Sequence, residues 1–182
     1  MKTIDVIKQV ATLLQLGNVL NANFDELNKQ DSQTQKDINL ILSCINEVLC
    51  DVATDFLPIK KTAQIQVAND SFDLSSLPNF HKLIKVFTIK PYSVNFETLN
   101  ISSGSYKITY QKLPDECTIS GQILDFLPSL TIYALSYGVA SQYCTISGNY
   151  SEAQMWHDKF ENAMQVATRK SFVPQLKPRR WL

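Results

Sequence analysis

The chain has 182 residues, a formal net charge of zero, 45% hydrophobic residues and 19% charged residues. This length predicts one globular domain, or one domain carrying an insertion, that is long enough to bury a core. No window approaches the roughly 18 apolar residues that a membrane span needs. The N-terminus lacks the apolar core and cleavage site of a secretory signal. We therefore expect neither membrane insertion nor export by that route.

The first third of the sequence predicts two amphipathic helices. The first is expected to be capped by Thr3 and ended by Gly17, because apolar residues recur between them at spacings of three and four. The second is expected to be capped by Asp31 or Ser32 and to extend to about Asp55.

Between Thr62 and Gln122 the periodicity changes from helical to alternating. Runs rich in branched and aromatic residues predict four to six short antiparallel strands. The expected strands include residues 63–67, 83–89, 93–99, 106–112 and 116–119.

The next segment, residues 123–170, predicts a helical hairpin. Its first helix is expected to begin around Pro128, which suits a first helical turn, and to end at Gly148. Ser151, with Gln154 three residues later, predicts a capping box at the start of the last helix. The stripe that this helix buries is expected to contain Ala153, Trp156, Phe160, Ala163 and Ala167.

These elements predict an α+β chain that is mainly an α-helical bundle. The bundle has about four helices, a small antiparallel β insertion lies between helices 2 and 3, and an extended arm ends the chain. The predicted segments are the N-terminal helices at 1–61, the β-rich insertion at 62–122, the helical hairpin at 123–170 and the C-terminal docking arm at 171–182.

Charge is unevenly distributed along the sequence. From Ala167 to Leu182 there are five basic residues and no acidic residue, which leaves 12 of the 17 basic residues for a body that holds all 17 acidic ones. A basic tail on an acidic body favours contact with a partner or a polyanion.

The arm contains Pro174 and Pro178, which prevent a continuous helix. Its aromatic, apolar and basic residues are of the types that act as binding anchors. The candidate docking residues are Phe172, Leu176, Lys177, Arg179, Arg180, Trp181 and Leu182. Two alternatives are a loose tail and an arm that binds DNA through Arg179 and Arg180.

The sequence contains few motifs that are typical of catalysis or metal binding. The four cysteines, Cys44, Cys50, Cys117 and Cys144, form no C-x-x-C pair, and we interpret them as reduced thiols in cores rather than as metal ligands. Cys144 and His157 could meet across the helical hairpin, but a helix C-terminus disfavours a thiolate. No phosphate-binding glycine loop, nucleophile elbow or H-E-x-x-H helix occurs. We expect no enzyme activity, catalytic residue, cofactor or metal.

The order of several short motifs resembles the head-to-tail adaptor, or connector, proteins of tailed bacteriophages. The motifs lie at Asp73–Val86, Tyr106–Pro114, Ala134–Tyr143 and Asn149–Trp156, with a closing Arg179-Arg180-Trp181. The resemblance covers nearly the whole chain. It implies a structural virion protein that forms a ring, commonly of twelve subunits, between the portal and the tail.

That resemblance also implies the partners. The ring would have the portal protein above it and a tail or neck protein below it, and DNA would pass through its lumen during ejection without specific binding. The chain would be made in the host bacterial cytoplasm and would reside in the virion neck, with no membrane partner. The alternative is a nucleic-acid-binding or regulatory helical domain that uses the basic C-terminal tail.

A ring needs contacts in which one surface of a subunit meets a different surface of the next. Tyr133, Tyr137 and Tyr143 are candidates for such subunit contacts because aromatic residues are enriched in interfaces. The other interpretation is that these tyrosines fill the core of the subunit itself.

Overall fold

The computed structural model describes residues 1–123, 125, 126 and 129–169. Within this part of the chain five α-helices and six β-strands occur. The helices are α1 (Thr3–Leu13), α2 (Gly17–Leu20), α3 (Ser32–Asp51), α4 (Ile132–Ile146) and α5 (Tyr150–Thr168). The strands are β1 (Ile59–Val67), β2 (Ser71–Asp73), β3 (Phe80–Phe87), β4 (Ser93–Asn95), β5 (Thr98–Asn100) and β6 (Gly104–Lys112).

The strands form two antiparallel sheets of three strands each. Sheet A has the order β1-β6-β3, and sheet B has the order β2-β5-β4. In sheet A, β1 and β6 pair along their whole length, from Ile59 opposite Lys112 to Val67 opposite Gly104. Register shifts near Lys82 and Lys85 mark bulges where β3 joins β6.

The prediction of a mainly α-helical bundle with a small β insertion is wrong. The strands make up a large part of the chain, and the two sheets enclose a core of their own. Alternation along β6 turns Tyr106, Ile108 and Tyr110 to the side of the sheet that is buried. Leu74 and Leu99 are fully buried in the same cluster. We call residues 59–112 the β region and the remaining described residues the helical body.

The core of the helical body is formed by apolar stripes from four helices. Its central members are Val6, Ile7, Val10, Ile41, Ile45, Val48, Leu135, Val139, Phe160 and Met164. Gly138 permits the closest approach in this core, because a Cβ at this position would lie 2.8 Å from Val48 Cγ1 and 3.0 Å from Phe160 Cδ2.

Two predicted helix caps are wrong. Thr3 is the first residue within α1, and its hydroxyl donates a hydrogen bond to the Gly121 carbonyl at 3.2 Å. Ser151 lies inside α5, whose N-cap is Asn149. The hydroxyl of Thr3 thus bonds to a segment that is distant in sequence, which local periodicity cannot show.

At α3 one of the two predicted caps is found. The Asp31 side chain accepts hydrogen bonds from both the backbone N–H and the hydroxyl of Thr34. The regular helix ends at Asp51, and a turn of π-helix, Val52–Phe56, carries the chain to β1.

The hairpin of α4 and α5 is confirmed, although its first helix begins later than expected. Thr131 caps α4 by accepting from the Ala134 N–H at 3.2 Å. Gly148 ends it with φ +81°. The Gly148 N–H bonds to the Thr145 carbonyl and the next N–H to the Cys144 carbonyl, which together form a Schellman motif.

Two strand predictions are also wrong. Residues 93–99 form a hairpin, β4 and β5, because the chain turns at Phe96 and Glu97. Residues 116–119 form no strand, since the Cys117 N–H donates to the Asn46 side chain at 2.8 Å and so pairs with α3.

Candidate docking surfaces

The outer edges of β3 and β4 meet at an open groove. Each is the terminal strand of its sheet, so its outer edge has no strand partner within the described residues. Phe80–Ile84 of β3 line one side, and Tyr92, Val94 and Phe96 line the other. Unpaired edges beside an apolar groove are the usual setting for contact with another chain.

Apolar side chains at this groove, and Ile89 in the chain segment that joins its two sides, are unusually exposed. Ile89 and Phe96 are fully exposed, and Ile84, Tyr92 and Val94 are each exposed by at least 40%. We call these five residues the rim. A contiguous exposed apolar patch in a protein surface usually marks an interaction site.

Phe96 is an unfavourable residue for the backbone conformation of its turn, and its apolar ring is unfavourably exposed to water. Its φ is +52°, in the left-handed region that bulky residues rarely adopt and where hairpin turns favour glycine or asparagine. Neither the turn nor the core of this chain explains an aromatic residue at this position.

Lysines lie at the groove and beside an exposed aromatic ring of sheet A. Lys85 Nζ lies 4.8 Å and Lys107 Nζ lies 5.6 Å from the centroid of the Phe87 ring, which is 47% exposed. Lys82 lines the groove itself. The β region as a whole contains seven lysines and three carboxylates.

The opposite charge collects on the helical body. Residues 1–58 and 113–166 contain five lysines and fourteen carboxylates. The expectation of a basic tail on an acidic body therefore missed that the body is itself divided, because the strands bring together lysines that are far apart in sequence.

Three carboxylates, Glu47, Asp51 and Asp55, follow one another at intervals of four residues at the end of α3. We call them the acidic stripe. Burial, and then the negative charges of Asp55 and Glu47, raise the pKa of Asp51 above its ordinary value. Among the described residues no ion pair neutralises any of the three. Glu47 accepts a hydrogen bond from Gln142 at 2.8 Å.

The predicted tyrosines occupy three different environments. Tyr133 is 57% exposed, as a surface contact would require. Tyr137 is partly buried and stacks on Trp156 with ring centroids 5.8 Å apart. Tyr143 is partly buried, and its hydroxyl lies 3.5 Å from Asp37, while burial, followed by the charge of Asp37, raises its pKa. Tyr137 and Tyr143 thus pack on the subunit's own core, and the subunit contact at Tyr133 stays a prediction.

The predicted docking arm lies outside the described residues. This holds for all seven of its candidates, Phe172, Leu176, Lys177, Arg179, Arg180, Trp181 and Leu182.

The two most buried thiols are poorly suited to nucleophilic chemistry. Burial raises the pKa of Cys44 to about 12, with a smaller effect from Glu47. Burial and then Glu152 raise the pKa of Cys144 to about 11, which opposes formation of a thiolate near neutral pH. His157 lies 3.4 Å from Glu161 on the exposed side of α5.

The described residues include no group of three or more His, Cys, Asp or Glu side chains placed to hold a metal ion. None of the helices described is both long and apolar enough to cross a membrane. What the geometry presents is therefore a pair of oppositely charged surfaces, one of them strongly apolar.

The rim was missed in the sequence because alternation showed strands but not which edges stay unpaired. One local signal was available, namely the apolar residues Ile89, Tyr92, Val94 and Phe96 in a short stretch of turns and broken strand.

No protein family model matches the chain, and no curated protein matches its sequence.

Proposed function

We propose that this chain is a structural virion protein, a head-to-tail adaptor that forms a ring between the portal and the tail. The observation that supports this most directly is the rim, because five exposed apolar side chains at and beside the groove between two unpaired sheet edges favour a protein partner. The order of the sequence motifs, which resembles phage adaptors, supplies the class of assembly. No catalytic group is required for this role.

In this proposal the ring, of about twelve subunits, surrounds the DNA exit channel in the virion neck. The C-terminal arm docks on the portal above, and a tail or neck protein binds below. The chain is made in the host bacterial cytoplasm, and DNA passes through without specific binding. Division of charge between the β region and the helical body supports such an assembly, since adjacent subunits then present surfaces of opposite sign.

The test is attachment to portal-bearing particles. We expect the full chain to bind DNA-filled heads as a ring visible by electron microscopy. Truncation of residues 171–182 should abolish attachment and leave the melting temperature nearly unchanged, because the arm's apolar residues are too sparse to add to a core. A matched control replaces Lys36, an exposed lysine of the helical body, by alanine.

Two results would contradict parts of this proposal. Failure of the full chain to bind a portal ring would reject the adaptor function. Attachment that survives the truncation would reject the arm as the docking element and transfer the portal contact to the described body.

A second candidate is a nucleic-acid-binding or regulatory domain that uses the basic C-terminal tail. One observation favours it: the outer face of sheet A presents Lys82, Lys85 and Lys107 beside the exposed Phe87. Basic residues beside an aromatic ring suit phosphates and bases. Retention of an oligonucleotide, weakened by salt and by Arg179→Gln with Arg180→Gln, would support this function over the first.

A further inference from the structure

The rim and the acidic stripe lie on different parts of the same chain; among the described residues no strand pairs with the edges beside the rim, and no ion pair neutralises the stripe. The rim is apolar and flanked by lysines. The stripe places three carboxylates where they repel one another. We propose that the rim of one copy, with Lys82 and Lys85, docks on the acidic stripe of a second copy, so that the chain assembles head to tail. This inference rests on the proposed ring and names its subunit contact.

The stripe is unfavourable in an isolated subunit for two reasons. Like charges four residues apart on a helix destabilise it. Asp51 also ends α3, where the helix dipole is negative, and the last turn holds no basic residue. Lysines from another copy would relieve both effects, and the stripe therefore suits a cationic surface.

Among the described residues, the rim together with Lys82, Lys85 and Lys107 combines positive charge with apolar area to bury. Lys85 and Lys107 sit within 6 Å of the Phe87 ring, so the positive charge lies directly beside exposed apolar side chains. A contact of this kind combines an apolar centre with charged groups that fix orientation and exclude like-charged partners.

A second copy explains more of the surface than a polyanion would. Nucleic acid would engage the lysines but would be repelled by the fourteen carboxylates of the helical body, and it would leave Ile89 and Val94 in water. A second copy covers the apolar side chains and neutralises the stripe in a single contact.

Because the two surfaces differ, the contact is heterologous. A docked pair still presents one free rim and one free stripe, and repetition of the contact yields a ring when the rotation closes. Contacts of one rim with another rim would instead stop at a dimer.

The experiment measures the mass of the full chain by light scattering and native mass spectrometry. A rim variant carries Phe96→Asn and Lys85→Gln, so that it holds no carboxylate that could bind the substituted stripe, and a stripe variant carries Asp51→Lys and Asp55→Lys. All four positions are exposed, so the fold should persist, which circular dichroism of each variant checks. Each of the two controls, Lys36→Gln and Asp158→Lys, replaces one charged residue at an exposed position of the helical body.

We expect wild type and both controls to form a large oligomer and each variant alone to be monomeric. An equimolar mixture of the two variants should give a heterodimer and nothing larger, because one intact rim then meets one intact stripe. Lys85→Glu alone should weaken assembly by about tenfold, and adding Asp51→Lys to the same chain should recover most of that loss.

Several outcomes would overturn the inference. If the stripe variant still forms the oligomer, the rim binds a surface other than the acidic stripe, and the proposed contact is wrong. A wild type that stays monomeric at the highest attainable concentration rejects docking between copies. Oligonucleotide binding that depends on Lys85 and replaces assembly assigns the lysines to nucleic acid. If both variants still form a ring on portals, the proposed contact is wrong but the adaptor function is retained. If the wild type forms no ring on portals, the contact and the adaptor function are both wrong.

Discussion

Gly138 of α4 lies where both α3 and α5 pack against this helix. The space beside its Cα is filled by Val48 from one helix and Phe160 from the other. Phe160 is held in turn by an edge-on contact with Phe56, with ring centroids 5.7 Å apart. Neither neighbour is the free end of a flexible chain, so a methyl group at Gly138 requires the helices to move apart.

Gly138→Ala should therefore destabilise the chain. Overpacking costs about 1–3 kcal/mol, and the better helix propensity of alanine offsets up to about 1 kcal/mol of that. A net loss near 1–2 kcal/mol should lower the thermal midpoint by several degrees, measured by circular dichroism. Gly17→Ala is the matched control, because a Cβ at Gly17 meets no atom within 4 Å. Equal midpoints for the two variants would refute the close approach.

Asp51 gives a prediction about pH. Its raised pKa means that the folded chain binds this proton more tightly than the unfolded chain, so ionisation of Asp51 opposes folding. The effect is fully present above the raised pKa and disappears as pH falls towards the ordinary value of 3.8. Asp51→Asn should thus melt higher than wild type at neutral pH, and the difference should shrink in acid. If the difference in melting temperature grew as the pH fell, ionisation of Asp51 would favour folding, which is the opposite of this prediction.

At the scale of elements, Trp156 carries the contact between α4 and α5. It is 7% exposed and stacks on Tyr137 with an interplanar angle of 15°. Lys159 Nζ lies 4.3 Å from its ring centroid and covers it from the solvent side. A pair of aromatic rings closes this side of the hairpin.

Trp156→Ala should cost about 3–5 kcal/mol, the usual range for removing a large buried aromatic side chain. Chemical denaturation measures the loss. Met155→Ala is the control from the adjacent position, where the side chain is 43% exposed, and it should change stability little. An unchanged midpoint for Trp156→Ala would mean that the hairpin does not depend on this contact.

Apolar periodicity predicted helices better than it predicted their ends. The stripes of α1, α3 and α5 are visible in the sequence because burial repeats every three or four residues. Caps at Thr3 and Ser151 were wrong, since a hydroxyl bonds to whichever acceptor the tertiary fold brings near. The hairpin of β4 and β5 was read as one strand because Phe96 is an uncommon turn residue.

At the scale of the whole molecule, the β region joins the helical body through two adjacent chain segments. Ile59 and Lys112 face each other across β1 and β6. The core cluster of the helical body contains no residue from 60–111. From that stretch Gln111 donates a hydrogen bond to the Ala53 carbonyl at 2.8 Å, and Asn79 bonds to Leu113 and Asp115 just after β6.

Replacing residues 60–111 by a short turn should therefore leave a folded helical body. Paired Cα atoms in antiparallel strands are about 4.5–5.5 Å apart, which a tight turn spans. We expect a soluble, helical variant with a cooperative thermal transition and no assembly, because the rim is gone. A variant without cooperative unfolding would show that the body depends on the sheets.

The candidate surfaces could be predicted only in part. Apolar residues near Phe96 are visible in the sequence, but their exposure depends on which strand edges remain unpaired. Lys85 and Lys107 are 22 residues apart and come together over the Phe87 ring only through the pairing of β3 with β6. The acidic stripe, by contrast, follows from the spacing of Glu47, Asp51 and Asp55 alone.

The first residues of the chain are tied to its second half. Met1 and Ile123 bond through their backbones, and the Thr3 N–H donates to the Gly121 carbonyl at 3.1 Å. The core of the helical body also joins Val6 to Met164, whereas the core of the β region lies within residues 63–110. During synthesis the sheets can form while α5 is still on the ribosome, but α1 must wait for almost the whole chain. We therefore expect the β region to gain protection from hydrogen exchange first.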